Sequence, residues 1–274
     1  MLDGLFKKFL RSINNGTAPP WLQKALWKGW YQILARRWRD DGWSFMNYGW
    51  LPLDRVDAFC LEPADESDRY FIGLYYHLSS LLELNGKRVL EVGSGRGGGA
   101  SYIARYHHPG EVVGLDFSPA AIALSRRLHA DVNGLSFIEG DAEKLPFSDG
   151  EFDVVINVES SHCYGDMPAF VNEVARVLRP GGMFAWADIR GPGMMEATEK
   201  AFSHPHMLLL HEEDITANVL KALDSAHARK SSVINGLRLG QALVRQFAAM
   251  PGSTIYQSLS SGDVRYLSRI YRRA

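Results

Sequence analysis

The stretch Arg88-Val-Leu-Glu-Val-Gly-Ser-Gly-Arg-Gly-Gly-Gly-Ala100 decides the fold. A short apolar strand ends in a carboxylate, breaks into a glycine-rich turn and leads into a helix. Gly93, Gly95 and Gly97 or Gly98 lack a Cβ, so the backbone there turns tightly and comes close to a ligand. Gly93-x-Gly95-x-x-Gly98 also fits the dinucleotide fingerprint, in which a helix N-terminus holds a pyrophosphate. Glu91 argues against that reading, because a carboxylate two residues before the first glycine repels a pyrophosphate and suits a cationic ligand.

On the N-terminal side of this stretch, residues 68–84 have the periodicity of an amphipathic helix. On the other side, a helix is expected near 97–107 and a strand at 111–116. The next helix is capped by Ser118 with Pro119 at its first position, and a strand follows at 135–139. Residues 152–158, Phe-Asp-Val-Val-Ile-Asn-Val, form the nearly continuous apolar run of a central parallel strand. A helix over about 166–179 stops at Arg179-Pro-Gly-Gly182, and 183–188 make a fifth strand. Strands alternating with helices at this spacing predict right-handed βαβ units and a doubly wound α/β sheet. Residues 192–230 read as a mostly helical insertion and 264–272 as a last, antiparallel strand. The chain thus divides into an N-terminal helical lid or substrate segment (1–67), a cofactor-binding core (68–191), a helical lid insertion (192–230) and a C-terminal end of the core sheet (231–274).

The first three strands each end in or just before an acid, Glu91, Asp116 and Asp141, at intervals of 25 residues. Ligands of such sheets sit at the carboxyl ends of the strands, so the three acids line one elongated site. Each alone reads as a cap or loop carboxylate. Together with the glycine turn they suit S-adenosylmethionine (SAM), which bears both an ammonium and a sulfonium. Glu91 is then expected at the amino-acid end. Asp116 accepts hydrogen bonds from the ribose hydroxyls, Phe117 packs on the adenine, and Asp141 with Ala142 receives its exocyclic amine. Gly93, Ser94, Gly95 and Gly97 form the turn. Glu159 borders the methionine end, and backbone groups of Asn157 and Val158 face the ammonium.

The composition, 46% hydrophobic and 22% charged over 274 residues, supports one sizeable core with an appended lid. Two cysteines, Cys60 and Cys163, are too few for a disulfide framework and suit a reducing cytoplasm. No run approaches the ~18 apolar residues of a membrane span, and the start is too broken for a signal peptide. The net charge of −1 hides an asymmetry: residues 1–40 carry +6, 221–274 carry +7 and the middle −14. Six of seven tryptophans (Trp21, Trp27, Trp30, Trp38, Trp43, Trp50) lie in the first fifty residues among lysines and arginines. That pattern fits a lid or a homo-oligomer contact, and also peripheral contact with a lipid surface. No recognition motif for nucleic acid accompanies it.

Glu91-Val-Gly-Ser-Gly-Arg-Gly97, Gly140-Asp-Ala-Glu-Lys-Leu-Pro-Phe147, the 152–158 strand and Val177-Leu-Arg-Pro-Gly-Gly182 together resemble a class I SAM-dependent methyltransferase. Within that class, Gly97-Gly-Gly-Ala-Ser-Tyr102, Asn157-Val-Glu-Ser-Ser-His-Cys-Tyr164 and Ala187-Asp-Ile-Arg190 are similar to mycobacterial O-methyltransferases acting on phthiotriol dimycocerosates, fatty acids or glycopeptidolipids. The resemblance implies a Rossmann-like, mostly parallel seven-stranded sheet, SAM as donor with S-adenosylhomocysteine (SAH) as product, and a small hydrophobic acceptor.

An alcohol acceptor must lose its proton. His162, four residues beyond the fourth strand, is the expected base, as a neutral imidazole near pH 7, with Asp188 at the end of the fifth strand to orient or assist it. The alternative for His162 is packing beneath the lid, and for Asp188 a cap. Asn47, Tyr48 and Trp50 resemble a lid segment that closes over cofactor and substrate, and Tyr164 stands near it. C-methylation of a terpenoid or other natural product is a second reading, with Tyr48, Trp50 and Tyr164 facing a cation. A SAM-binding protein without turnover is a third. His204, His206 and His211 read as lid residues, and no metal is expected.

Overall fold

The computed structural model describes residues 44–54, 59–235 and 241–274, together with Pro19 and Gly29. The tryptophan-rich basic start, Trp50 excepted, lies outside the described residues. In chain order the elements are α1 (Arg69–Ser79), β1 (Arg88–Val92), α2 (Gly98–Tyr106), β2 (Glu111–Asp116), α3 (Pro119–Leu128), β3 (Leu135–Glu139), β4 (Phe152–Val158), α4 (Met167–Val177) and β5 (Leu178–Arg190). They continue with α5 (Pro192–Phe202), β6 (Met207–Asp214), α6 (Thr216–Ser225), α7 (His227–Asn235), α8 (Gln241–Phe247), α9 (Thr254–Ser261) and β7 (Arg265–Arg273). Seven strands form one sheet in the order β3-β2-β1-β4-β5-β7-β6. The first five are parallel to one another, and β7 runs antiparallel to both β5 and β6. The strand order reverses between β1 and β4, which is where doubly wound sheets open a crevice.

Strand alternation divides the core between the two faces of the sheet. Val89, Val112, Val154, Ile156, Ala185 and Ala187 pack on one side with Ile72, Tyr75 and Leu78 of α1. Leu90, Val92, Val113, Val155, Phe184 and Trp186 pack on the other with Phe170, Val171 and Val174 of α4. Each fully buried Val, Leu or Phe stabilises the fold by roughly 1.5–3 kcal/mol over leaving it in water. Helix starts follow the sequence signals. The Ser118 hydroxyl accepts from Ala121 N at 3.3 Å, and the Asp166 carboxylate from Ala169 N at 2.9 Å. Such caps are each worth about 1 kcal/mol.

Three local expectations are corrected. The helix expected over 68–84 ends at Ser79, where the Ser79 and Ser80 hydroxyls bond back to the carbonyls of Tyr76 and His77 and compete for them in the last turn. The fifth strand begins at Leu178: Phe152 pairs with Leu178 and Val154 with Met183, so Arg179–Gly182 loop out as an irregularity within β5.

The larger correction concerns 192–230, which is mostly helical as expected but also holds a strand, β6. Glu212 of β6 stands opposite Arg269 of β7 and pairs with it at 2.6 Å, and β7 gives the leucine run a ladder partner. His211 therefore lies on the sheet's outermost strand and His204 and His206 in the turn before it, not in a lid.

Candidate active site

A cleft enclosing about 1080 Å³, its open mouth included, lies at the carboxyl ends of β1, β2 and β4. Gly93, Ser94 and Gly95 form its floor, Asp116 and Phe117 follow β2, and Asp141 and Ala142 follow β3. Val158, Glu159 and Tyr164 follow β4, and Asn47 reaches in from the N-terminal segment. Two glycines are required by geometry. Gly93 has φ +79°, and a Cβ there would lie 2.3 Å from the Ser160 hydroxyl. At Gly99, a Cβ would lie 2.0 Å from the Tyr75 ring.

Several expected residues serve the cleft without walling it. Glu91 shares a sheet face with Val89, so it points beneath the turn towards α1 rather than into the cleft. Its carboxylate accepts from the Tyr75 hydroxyl at 2.7 Å. Burial, outweighing the bonds from Tyr75 and Ala100, pushes its pKa up to about 8. Glu91 thus shapes the glycine turn. Gly97 faces Phe137 and His129. The Asn157 amide, fully buried, lies 2.8 Å from Val92 O, 2.7 Å from Ser160 Oγ and 3.0 Å from Tyr164 Oη, fastening the tips of β1 and β4 together. Trp50 stacks on His77 with centroids 4.9 Å apart, within the core. Tyr48 is buried, its backbone N–H donating to Glu159 at 2.7 Å.

His162 and Asp188 do come together. His162 Nδ1 lies 2.8 Å from Asp188 Oδ1, and the backbone N–H of His162 donates to Oδ2 at 2.8 Å. Asp188 is fully buried and also accepts from the Ser161 hydroxyl at 2.6 Å, with the Arg190 guanidinium 3.0 Å away. Burial alone lowers the pKa of His162, but Cys163 and Asp188 beside it win and hold the imidazole well above its usual value. The dyad borders the cleft, whose wall includes Ser160 and Cys163, on either side of Ser161 and His162.

Sequence reasoning missed Tyr75, Arg96 and Glu143 in or under the cleft, and Tyr266 and Lys230 beside Glu159. Tyr266 donates its hydroxyl to Glu159 at 2.7 Å. Burial, only partly offset by the Tyr266 and Tyr48 donors, pushes Glu159 up to about 8. Tyr75 stands 16 residues before Glu91 and Tyr266 stands 107 after Glu159, so no local pattern joins either pair.

A model of the methyltransferase domain family matches residues 90–186. The chain is 38% identical over 263 residues to the phthiotriol/phenolphthiotriol dimycocerosates methyltransferase of Mycobacterium leprae, covering 94% of each chain. The chain belongs to the SAM-dependent methyltransferases. It is also 39% identical to a fatty-acid O-methyltransferase of Mycolicibacterium smegmatis, covering 86% of this chain and 85% of that one. The geranyl diphosphate C-methyltransferase of Streptomyces coelicolor has the same fold, with a TM-score of 0.66 at 19% identity over 89% of this chain and 98% of that one.

The residues of this methyltransferase fit SAM. Ser94 Oγ and Asn47 Nδ2 are buried without a partner among the described residues, and both residues line the cleft, where a polar ligand would satisfy them. Asp116, Asp141 and Glu143 give the wall an acidic character that suits a cation. Asp116 accepts from Gly95 N and Ser118 N, each at 2.9 Å, which aims its carboxylate. Burial outweighs those bonds and raises its pKa to about 6.

A carboxyl with a raised pKa loses its charge on mild acidification. SAM affinity is therefore expected to hold above pH 7 and to fall as pH drops below 6, by up to about tenfold per unit. Calorimetry from pH 5 to 8 reads this directly, and Asp116→Asn should flatten the profile.

Proposed function

We propose that this methyltransferase methylates a hydroxyl of a hydrophobic lipid, polyketide or glycolipid, with His162 as general base and Asp188 as its positioning residue. The observation that carries the reading is the double grip of Asp188 on the Nδ1 and backbone N–H of His162, both at 2.8 Å. With Nδ1–H donated to the carboxylate, Nε2 is the nitrogen left to take a proton. SAM supplies a methyl group already activated by its sulfonium. The chain contributes alignment, worth about 7–11 kcal/mol where the fit is good, and removal of the hydroxyl proton. Asp188 stabilises the imidazolium that forms, and Arg190 behind it keeps Asp188 ionised. Trp50 is committed to His77 and the Tyr48 ring already faces an ammonium, which favours oxygen over carbon as the methylated atom. The lipid class is supported by the acceptors named for the two mycobacterial relatives.

Labelled SAM incubated with lipid and natural-product extracts, followed by mass spectrometry, tests the reading: a labelled methyl ether supports it, and label on carbon sinks it. A base must be unprotonated to act, so kcat should rise with pH through a limb above 6.5 and fall about tenfold per unit below it. Asp188→Asn should lower both kcat and the pH of that limb.

A further inference from the structure

Ser161 stands behind the His162–Asp188 dyad, 1% exposed, and none of the steps above uses it. Its hydroxyl has three neighbours. Trp186 Nε1 lies 2.8 Å from Ser161 Oγ, and Arg190 Nη2 and Asp188 Oδ2 each lie 2.6 Å from it. An indole N–H and a guanidinium only donate, whereas a hydroxyl offers two lone pairs and one proton. Trp186 and Arg190 therefore fill both lone pairs, and the proton has one place left, Asp188. The two oxygens of that carboxylate thus have separate tasks. Oδ2 takes the Ser161 hydroxyl, His162 N at 2.8 Å and Arg190 Nη1 at 3.0 Å. Oδ1 takes Ile189 N and faces His162 Nδ1, each at 2.8 Å.

We infer that Ser161 is a second positioning residue of the reaction: its one proton, committed to Asp188, fixes the carboxylate that orients His162 and weakens that carboxylate's pull on the imidazolium. This rests on the His162 reading above. A hydrogen bond to a carboxylate draws off part of its negative charge. With less charge facing Nδ1, His162 releases a proton more readily, so Ser161 works against Cys163 and Asp188, which hold the imidazole above its usual value. The other titratable or charged groups that act on the dyad are Arg190 of β5, Glu159 at the end of β4, Tyr266 of β7 and Tyr48 of the N-terminal segment. Burial holds both phenols well above their usual values, so they stay neutral. Glu159, pushed up to about 8, titrates in parent and variant alike, and a comparison of the two isolates Ser161.

Histidine labelled with carbon-13 at the ring Cε1 lets NMR follow the nine histidines of the full chain from pH 5.5 to 10, with the His162 signal identified by its loss in His162→Asn. Ser161→Ala should raise the His162 pKa by about half a pH unit or more, roughly threefold in proton affinity. It should carry the pH limb of kcat upward by the same amount, while the KM for SAM stays within twofold of the parent. Ser161→Cys, which fills the site with a weak donor, should move the value in the same direction by less. Trp186→Phe is the structural control. It removes the Trp186–Ser161 bond but leaves the Ser161 proton on Asp188, so the His162 pKa should stay where it is. An unmoved or lowered pKa in either Ser161 variant, or an equal rise in Trp186→Phe, overturns the proposal. A pKa that rises in Ser161→Ala while the kcat limb stays in place would retire His162 as the base and leave the Ser161 bond standing.

Discussion

Alanine at position 162 is expected to lower kcat by about 10²–10⁴, the usual worth of a positioned base, while SAM affinity stays within twofold of the parent. The two quantities separate because His162 borders the cofactor cleft without lining it. The fold should tolerate the change. Asp188 keeps the Ser161 hydroxyl at 2.6 Å and the Arg190 guanidinium at 3.0 Å, so the buried carboxylate is not orphaned. Rapid-quench turnover of a hydroxyl acceptor, beside a SAM titration, reads both numbers. Unchanged product formation would remove His162 from the mechanism, and parallel loss of SAM binding would recast it as a structural residue.

Asp188→Ala is expected to produce the largest loss of stability, about 3–5 kcal/mol, because it strands a buried cation. Both side chains of the Asp188–Arg190 pair are fully buried. Without the carboxylate, Arg190 keeps Thr198 Oγ1 at 2.8 Å, Ser161 Oγ at 2.6 Å and Ile189 O at 2.8 Å, all neutral partners. Burial favours the neutral form of Asp188, but His162 and Arg190 together hold the carboxyl well below its usual range. A depressed native pKa stabilises the fold above the unfolded value near pH 4. That contribution disappears only as pH falls further, through the native value. Urea unfolding at pH 7 should therefore show the full difference between parent and variant, narrowing in strong acid. A midpoint close to the parent's would mean that Arg190 finds water or another anion.

The glycine turn, the strand-end acids and the sheet were legible because each rests on near neighbours in sequence: a two-residue alternation, a cap, a positive φ. Glu91 shows where that stops. Its place at the end of β1 was readable, and so was the face it shares with Val89. The hydroxyl of Tyr75 that takes it beneath the turn comes from another element, and burial raises its pKa to about 8. The preference for a cationic ligand therefore rests on the acids that wall the cleft, Asp116, Asp141 and Glu143. β6 was misread because Met207-Leu-Leu-Leu is apolar without period, and its strand character comes from pairing with β7 across more than fifty residues. Lys230 carries no signal in one dimension, since only the folded chain brings it over Tyr48 and Phe71.

The strap at 44–50, α7 and β7 are separated by long stretches of chain, yet they meet at Glu159: the Tyr48 backbone N–H and the Tyr266 hydroxyl by hydrogen bonds, Lys230 by charge. The donor site is instead written almost wholly within one continuous piece, from β1 to the turn after β4. Mutation can therefore rework acceptor choice one distant segment at a time, while the machinery that holds the methyl donor is inherited intact. New specificities can arise in such a lineage without passing through inactive ancestors.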